Sequence, residues 1–254
     1  FIADQDNYRI RKIDIDGVIT TVVGTGAQGS AANDTLATSA PIGRIMGLAL
    51  NSEGDLFMAD SLYHYIRKVA HTTRIISTVA GTSSTSGQYW GEDVPAIAAN
   101  LNTPISVAVK SSGEIVIADS QNHRIRRVDT NGIISTIAGN GVVGFSGSNG
   151  VAIDAKLYIP ASVTVTTTGD TIINDSGNWK IRKIDRNDII TRIAGNGKSG
   201  FDGDGGSAIN AALRSAGKVV VTDDGDVLFA DTGNNRIRKV HSNGTIITIA
   251  GNGV

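Results

Sequence analysis

The chain has 254 residues, 23 basic and 24 acidic side chains, and a formal net charge of -1. That balance gives no electrostatic case for nucleic acid or an anionic membrane surface, and no apolar run reaches the length needed to span a bilayer. Cysteine is absent, so neither disulfides nor thiol chemistry contributes.

Phe1-Ile2-Ala3 already reads as the end of a strand and no initiator methionine precedes it, so the sequence is taken as a fragment or processed form of a longer product. Asn33-Asp34-Thr35 and Asn243-Gly244-Thr245 have the form of glycosylation sequons. Such triplets point only weakly to an extracellular or secreted setting, and the compartment is otherwise left open.

From this beginning the chain runs through five copies of one pattern, Ala-Asp-x-x-Asn-x-Arg-Ile-Arg-Lys-Val/Ile with local variation. The copies are centred on Asp4, Asp60, Asp119, Asp175 and Asp231, in steps of 56, 59, 56 and 56 residues. A period this even means stacked supersecondary units rather than several independent globular domains, so 1–254 is read as one domain.

The last interval shows the unit. Residues 218–222 form an apolar strand A, 223–226 a tight turn, 227–230 strand B, and 232–235 a second turn. Residues 236–240 form strand C, and 245–250 strand D after the turn at Ser242-Asn243-Gly244. Strand A recurs at 45–50, 106–109 and 162–165, and strand D at 18–23, 75–80, 133–138 and 189–194. Four β-rich segments separated by turn formers, with no helical period, predict an all-β propeller of four-stranded antiparallel blades. The first unit has strands B, C and D but no inner strand A, which leaves five or six blades open for an intact chain. It also leaves an edge through which self-association could run.

The motif-bearing segments resemble NHL repeats, most closely Ile2-Ala3-Asp4 with Asn7-Tyr8-Arg9-Ile10-Arg11-Lys12-Ile13, and the matching segments at 117–128 and 229–240. The Gly-rich connector 193–206 resembles the family too, and the likeness covers essentially the whole chain. It implies a propeller, usually six-bladed, that serves as a binding platform for protein or RNA or as an extracellular recognition domain. Some related propellers are lyases or hydrolases, so the family leaves the function open.

The repeated acids Asp4, Asp60, Asp119, Asp175 and Asp231 are placed to accept hydrogen bonds from turn backbone. Arg11, Arg67, Arg126, Arg182 and Arg238 hold one register in strand C, where a planar guanidinium suits a carboxylate. These ten residues are read as a structural network, since five equivalent acids are a poor way to build one catalytic site. The basic residues that follow them, from Lys12 to Lys239, have matching acids, which argues against an RNA surface.

Strands alternate in direction, so B–C turns and long D–A connectors emerge on the same face, where loops on a rigid scaffold carry binding residues. One position at the B–C tip varies sharply: Tyr8, His64, His123, Trp179 and Asn235. It is the first candidate for a set of contacts. Tyr89, Phe145 and Phe201 stand thirty residues before their unit's Asp, with Ser30 in that place in the second unit. These aromatics are read as packing the connector, while Tyr89 and the extra Trp90 are offered as anchors for a protein or carbohydrate partner.

Enzyme chemistry has thin support. His64 and His123 lack an obvious third ligand for zinc, and Asp202 and Asp204 lie outside any twelve-residue calcium loop. No nucleophile elbow is present, and no catalytic residue, metal or cofactor is assigned. The expectation is a non-catalytic recognition scaffold working through the B–C/D–A face. Its rival is a lyase or hydrolase with a site at the channel mouth.

Overall fold

A computed structural model describes residues 1–82, 89–214 and 216–254. The protein is all-β and built of antiparallel β-propeller blades, with single 3-10 turns at the tips and in the connectors. The first sheet has three strands, β1 (Ile2–Asp4), β2 (Arg9–Ile13) and β3 (Ile19–Val23). The second holds β4 (Thr35–Leu36), β5 (Ile45–Leu50), β6 (Leu56–Asp60), β7 (Tyr65–Val69) and β8 (Ile75–Ala80), in the order β4-β8-β7-β6-β5.

The third sheet holds β9 (Val94–Pro95), β10 (Pro104–Val109), β11 (Ile115–Asp119), β12 (Arg124–Val128) and β13 (Ile133–Ala138). The fourth holds β14 (Gly150–Val151), β15 (Pro160–Val165), β16 (Thr171–Asp175), β17 (Lys180–Ile184) and β18 (Ile189–Ala194). The fifth has four strands, β19 (Ala216–Val221), β20 (Val227–Asp231), β21 (Arg236–Val240) and β22 (Ile246–Ala250).

Two features differ from the sequence reading. The motif Asp is the last residue of strand B rather than the first residue after it. Three sheets also gain a fifth, two-residue strand from the connector, as when Gly150 and Val151 pair with Ile190 and Ile189 of β18. That strand carries no hydrophobic alternation of its own. It exists because the connector is held against strand D, and two residues are too few to leave a period in sequence.

The chain divides into two compact units, Phe1–Asn122 with Arg127–Ser135, and His123–Arg126 with Thr136–Val254. In the first unit, Ile10 and Val23 pack against Met58, Val69 and Ile76 of the second sheet, with Ala37, Ala40 and Ile42 of the connector completing the cluster. In the second unit, Ile181 and Ala194 pack against Val219, Phe229 and Val240 of the fifth sheet, with Ala208, Ala211 and Leu213 from the connector. The second sheet, packed on the first and the third, therefore buries both faces, and its strand β6 is a fully buried apolar run closed by Asp60. Each fully buried Ile contributes roughly 1.5–3 kcal/mol.

Strand D ends in a glycine at φ near +90°, where the chain turns into the connector. At Gly195 (φ +88) an added Cβ would run into the Trp179 carbonyl oxygen and the Lys180 Cα. Gly132 has a similar φ of +79 but open space around it. Gly132→Ala should cost about 1 kcal/mol through its backbone alone. Gly195→Ala meets backbone that cannot yield and should cost about 2 kcal/mol more, read as the difference in urea unfolding free energy. Equal costs would mean that the B–C turn does not abut the start of the connector.

Candidate functional site

The repeated Asp, Asn and Arg lock the fourth and fifth sheets to the connectors that enter them. Asp231 closes β20 with its side chain fully buried. Its Oδ1 accepts the Arg214 backbone N–H at 2.8 Å, seventeen residues upstream, and its Oδ2 accepts the Asn234 amide at 2.8 Å. Arg238, one strand away and also fully buried, has Nη1 3.6 Å from Asp231 Oδ2. Its guanidinium donates to the Ala212 carbonyl at 2.9 Å, to the Asp202 carbonyl at 2.8 Å and to the Asp204 carboxylate at 2.7 Å. One planar fork thus holds two points of the connector, 26 and 36 residues upstream.

The fourth sheet repeats this arrangement. Asp175 accepts from the Tyr158 N–H at 2.8 Å and the Asn178 amide at 2.9 Å. Arg182 lies 3.6 Å from Asp175 and donates to the carbonyls of Lys156 and Ser146. In the second sheet, Asp60 accepts the N–H groups of Gly43, Leu62 and Tyr63, and both Arg67 terminal nitrogens meet the Ala31 carbonyl. Asp119 accepts from Asn102 N–H at 2.7 Å and Asn122 at 2.8 Å. Arg126, in the other compact unit, is fully buried. In the first sheet, Asp4 accepts from Asn7, and the Arg11 Nε is buried without a hydrogen-bond partner.

The connector aromatics sit on these arginines. Phe145 stacks at 4.1 Å over the Lys180 ammonium and 5.0 Å from the Arg182 guanidinium. Phe201 lies 3.7 Å from Arg236 and 5.0 Å from Arg238. These geometries suit cation–π attraction. Tyr89 donates its hydroxyl to Glu92, and Trp90 is about half exposed. Asp202 and Asp204 hold the connector to itself and to the blade: Asp202 Oδ1 accepts the Ala212 N–H, and Asp204 accepts from Arg238 and the Thr248 N–H.

The variable tip residues share a property that sequence did not expose. Tyr8, His64, His123, Trp179 and Asn235 all have left-handed backbone, with φ between 48 and 62. Glycine or asparagine adopts this conformation most readily, yet four of the five are aromatic or imidazole. Their side chains act in packing. The Tyr8 hydroxyl donates to Gln28 at 3.0 Å, and Trp179 packs on the cluster that holds Leu213. His64 Nδ1 accepts the Thr103 N–H at 2.9 Å, and His123 Nδ1 accepts the Ile159 N–H at 3.3 Å with its ring edge-on to Tyr158. Thr103 and Ile159 are themselves left-handed, so each imidazole satisfies a backbone donor at a strained entry to strand A. Burial pushes His64 down, with Asp60 opposing in part, which favours the neutral acceptor. Asn235 is exposed.

The matching basic row in strand C is largely consumed in ion pairs at the opposite edge: Lys68 with Asp55 at 3.3 Å, Arg127 with Glu114 at 3.5 Å, Lys183 with Asp170 at 3.5 Å and Lys239 with Asp226 at 2.8 Å. Among the described residues, no group of three or more His, Cys, Asp or Glu is arranged to hold a metal ion. No helix of the described chain is long and apolar enough to cross a membrane.

The NHL repeat family model matches residues 101–128, which span β10 to β12. Human Teneurin-1 is 31% identical over 211 residues, covering 74% of this chain and 8% of its own length. The chain belongs to the NHL-repeat β-propeller family.

Among solved structures, the nidogen/laminin complex aligns with a TM-score of 0.64 at 13% identity, over 97% of this chain and 76% of that one. A streptogramin B lyase aligns at 0.59 and 15% identity, over 95% and 61%. Identities this low show the fold alone. The NHL unit places its B–C turn against the start of the D–A connector, as in the hydrogen bonds from Asn178 to Gly144 and from Asn234 to Gly200. The second unit also holds a cavity of about 590 Å³ lined by Thr166, Asp170, Lys183, Arg192, Val221 and His241. Arg192 breaks the NHL repeat there, since Thr21, Thr78, Thr136 and Thr248 occupy its register.

Two measurements probe the lock. Burial pushes the Asp175 carboxyl up to about 6, against the Tyr158 N–H, the Asn178 amide and Arg182, which pull it down. A raised folded value means that the proton is held more tightly in the fold. The resulting stabilisation is full below the unfolded value of 3.8 and is lost as pH rises through about 6. Asp175→Asn does not titrate, so its deficit against the parent should be larger at pH 4 than at pH 7, by on the order of 3 kcal/mol. A pH-independent deficit in urea titrations would refute the raised value. Separately, Arg238→Lys keeps the charge but cannot span two carbonyls, and should cost about 2–4 kcal/mol. Faster hydrogen exchange should appear in 199–206 before β21, and uniform loss of protection would instead mean that the whole sheet depends on Arg238.

Proposed function

We propose that residues 1–254 form one NHL propeller domain that acts as a non-catalytic scaffold and recognises a protein through its D–A connectors and B–C turns. The observation that carries this reading is the connector between β13 and β15. Val142, Val143, Phe145, Val151, Ile153 and Tyr158 are each 37–52% exposed within that one segment. Single exposed apolar residues are ordinary, but six in one loop are a feature of interaction surfaces. The loop is also held in place: Arg182 bonds Ser146 and Lys156, and Phe145 stacks on Lys180. A pre-ordered apolar loop loses little entropy on binding. The other connectors present fewer such residues, with Trp90 and Ile97 the most exposed of them.

A second reading, a small-molecule lyase or hydrolase, draws on the cavity beside Arg192 and His241, whose volume suits a compact ligand. It lies among the A–B and C–D turns, where Ile209 of the connector before β19 also lines it.

A photo-crosslinking residue at position 142 should trap one discrete protein, whereas the same residue at position 243, at a C–D turn, should not. Val143→Asp with Ile153→Asp should weaken binding of that protein at least tenfold without moving the thermal midpoint. Equal trapping at both positions, or an unchanged affinity, would sink the recognition reading. Loss of binding on Arg192→Ala alone would favour the cavity.

A further inference from the structure

The fourth and fifth sheets carry the same lock with opposite charge around it. At the fifth, the connector supplies Asp202 and Asp204, and Asp204 meets Arg238 at 2.7 Å while accepting the Thr248 N–H at 3.1 Å. The connector of the fourth sheet holds Ser146 and Ser148 in the same register. Ser146 keeps one duty, since its Oγ accepts the Lys156 N–H at 3.1 Å as Asp202 accepts that of Ala212. It brings no charge. Arg192 takes the register of Thr248, and Lys156 that of Ala212. Asp154 in place of Asn210 runs the other way. The fifth site thus sets Asp202, Asp204 and Asp231 against Arg236 and Arg238. The fourth sets Asp154 and Asp175 against Lys156, Lys180, Arg182 and Arg192.

These cations gather at the ring that the apolar loop exposes. Phe145, 40% exposed, lies 4.1 Å from the Lys180 ammonium and 5.0 Å from the Arg182 guanidinium. Lys156 is tied to the same anchor, its carbonyl held by Arg182 and its N–H by Ser146. Arg192 stands opposite Arg182 in the β17–β18 pairing and donates through Nη1 to the Gly195 carbonyl at 3.2 Å. Burial and then Arg192 push the Lys180 ammonium down, with Asp175 opposing, so the two cations are close enough to repel. Among the described residues, Lys156, Lys180 and Arg192 form no ion pair with a carboxylate.

We propose that this cluster seats a carboxylate from an acidic segment of a partner protein, with Phe145 packing on an apolar side chain beside it. The inference rests on the recognition reading above and names the chemistry of that partner. Charge complementarity selects the occupant. The positive field of Lys156, Lys180 and Arg192 lies within a loop that exposes Val142, Val143 and Ile153, so an Asp or Glu set between aliphatic side chains meets both. Asp204, bonded to Arg238 and the Thr248 N–H, shows within this chain the kind of group that the position takes.

The test titrates the full chain with a short blocked peptide of alternating Leu and Glu, and with the same peptide carrying Gln for Glu, followed by amide NMR. Signals of 142–156, Lys180 and Arg192 should move. The Glu peptide should bind about tenfold more tightly at low salt, and the gap should close at high salt. Ser148→Asp supplies the missing acid from within. It should weaken the Glu peptide about fivefold, leave the Gln peptide unchanged and not lower the thermal midpoint, so that a loss of fold cannot account for the effect. Lys156→Glu with Arg192→Glu should turn the preference toward a peptide of Leu and Lys. Arg192→Ala alone removes one cation of the set and should weaken the Glu peptide by no more than about threefold. If the Glu and Gln peptides bind equally, and both are lost with Val143→Asp and Ile153→Asp, the inference fails and the recognition reading stands. An absence of shifts at 142–156 with the Glu peptide would also overturn it, with crosslinking at position 142 deciding the recognition reading separately. A short oligouridylate that binds more tightly than the Glu peptide would overturn it too, because the cluster would then be a nucleic-acid surface.

Discussion

A guanidinium buried at zero exposure is the constraint on which the rest of the fourth and fifth sheets depends. Taking Arg182 or Arg238 out of water costs several kcal/mol unless its donors are met. A facing carboxylate at 3.6 Å is too distant to be a strong hydrogen bond. The deficit is offset by backbone carbonyls from the connector, two for each arginine. Nε remains without a partner in both. The burial is therefore tolerable only with the connector in place, and the fork in turn adds to the backbone bonds and buried Ala208, Ala211 and Leu213 that order the connector. Loop and blade thus order each other.

This dependence gives a physical reason for the repeat length. The carbonyl held by the guanidinium lies 36 residues upstream at Arg67, Arg182 and Arg238 alike. The N–H met by the motif carboxylate lies 17 residues upstream at Asp60, Asp119, Asp175 and Asp231. A unit that kept these spacings but changed elsewhere would have to do so outside the segments they bracket. The 59-residue interval behaves in this way: its extra residues fall at the 71–74 turn and at the start of the connector, outside the span from Asn102 to Asp119.

Sequence made the polar register legible because side chains repeat visibly: Asp at the end of strand B, Asn in the turn, Arg in strand C. It could not show what those groups bond, because the partners are mainly carbonyls and N–H groups carried by Ala31, Lys156, Ala212 or Arg214, whose identities signal nothing. The tips illustrate the same limit. Variation from Tyr8 to His64 to Trp179 reads as a set of contacts for a partner, yet all share a left-handed backbone, and His64 and His123 are matched to a single N–H each. The two-residue strands β4, β9 and β14 leave no pattern at all. Only the φ > 0 tip carries a faint signal, through the Asn at position 235.

The same accounting bears on what kind of function the scaffold can carry. The polar groups that the sequence offers on the turns and connectors are engaged within the fold. His64 and His123 satisfy backbone, Asp202 and Asp204 hold the connector, and the motif acids face arginine and turn amides. What remains on the connectors is apolar surface on loops fixed from beneath, and it is unevenly shared: the connector between β13 and β15 exposes six large apolar side chains where its equivalent before β19 exposes two, Phe201 and Ile209. The lock is common to both loops, so it cannot be the source of that difference. A frame that holds every connector alike frees the residues between its anchor points to differ without cost to the fold, and those residues are where the repeat loses its symmetry.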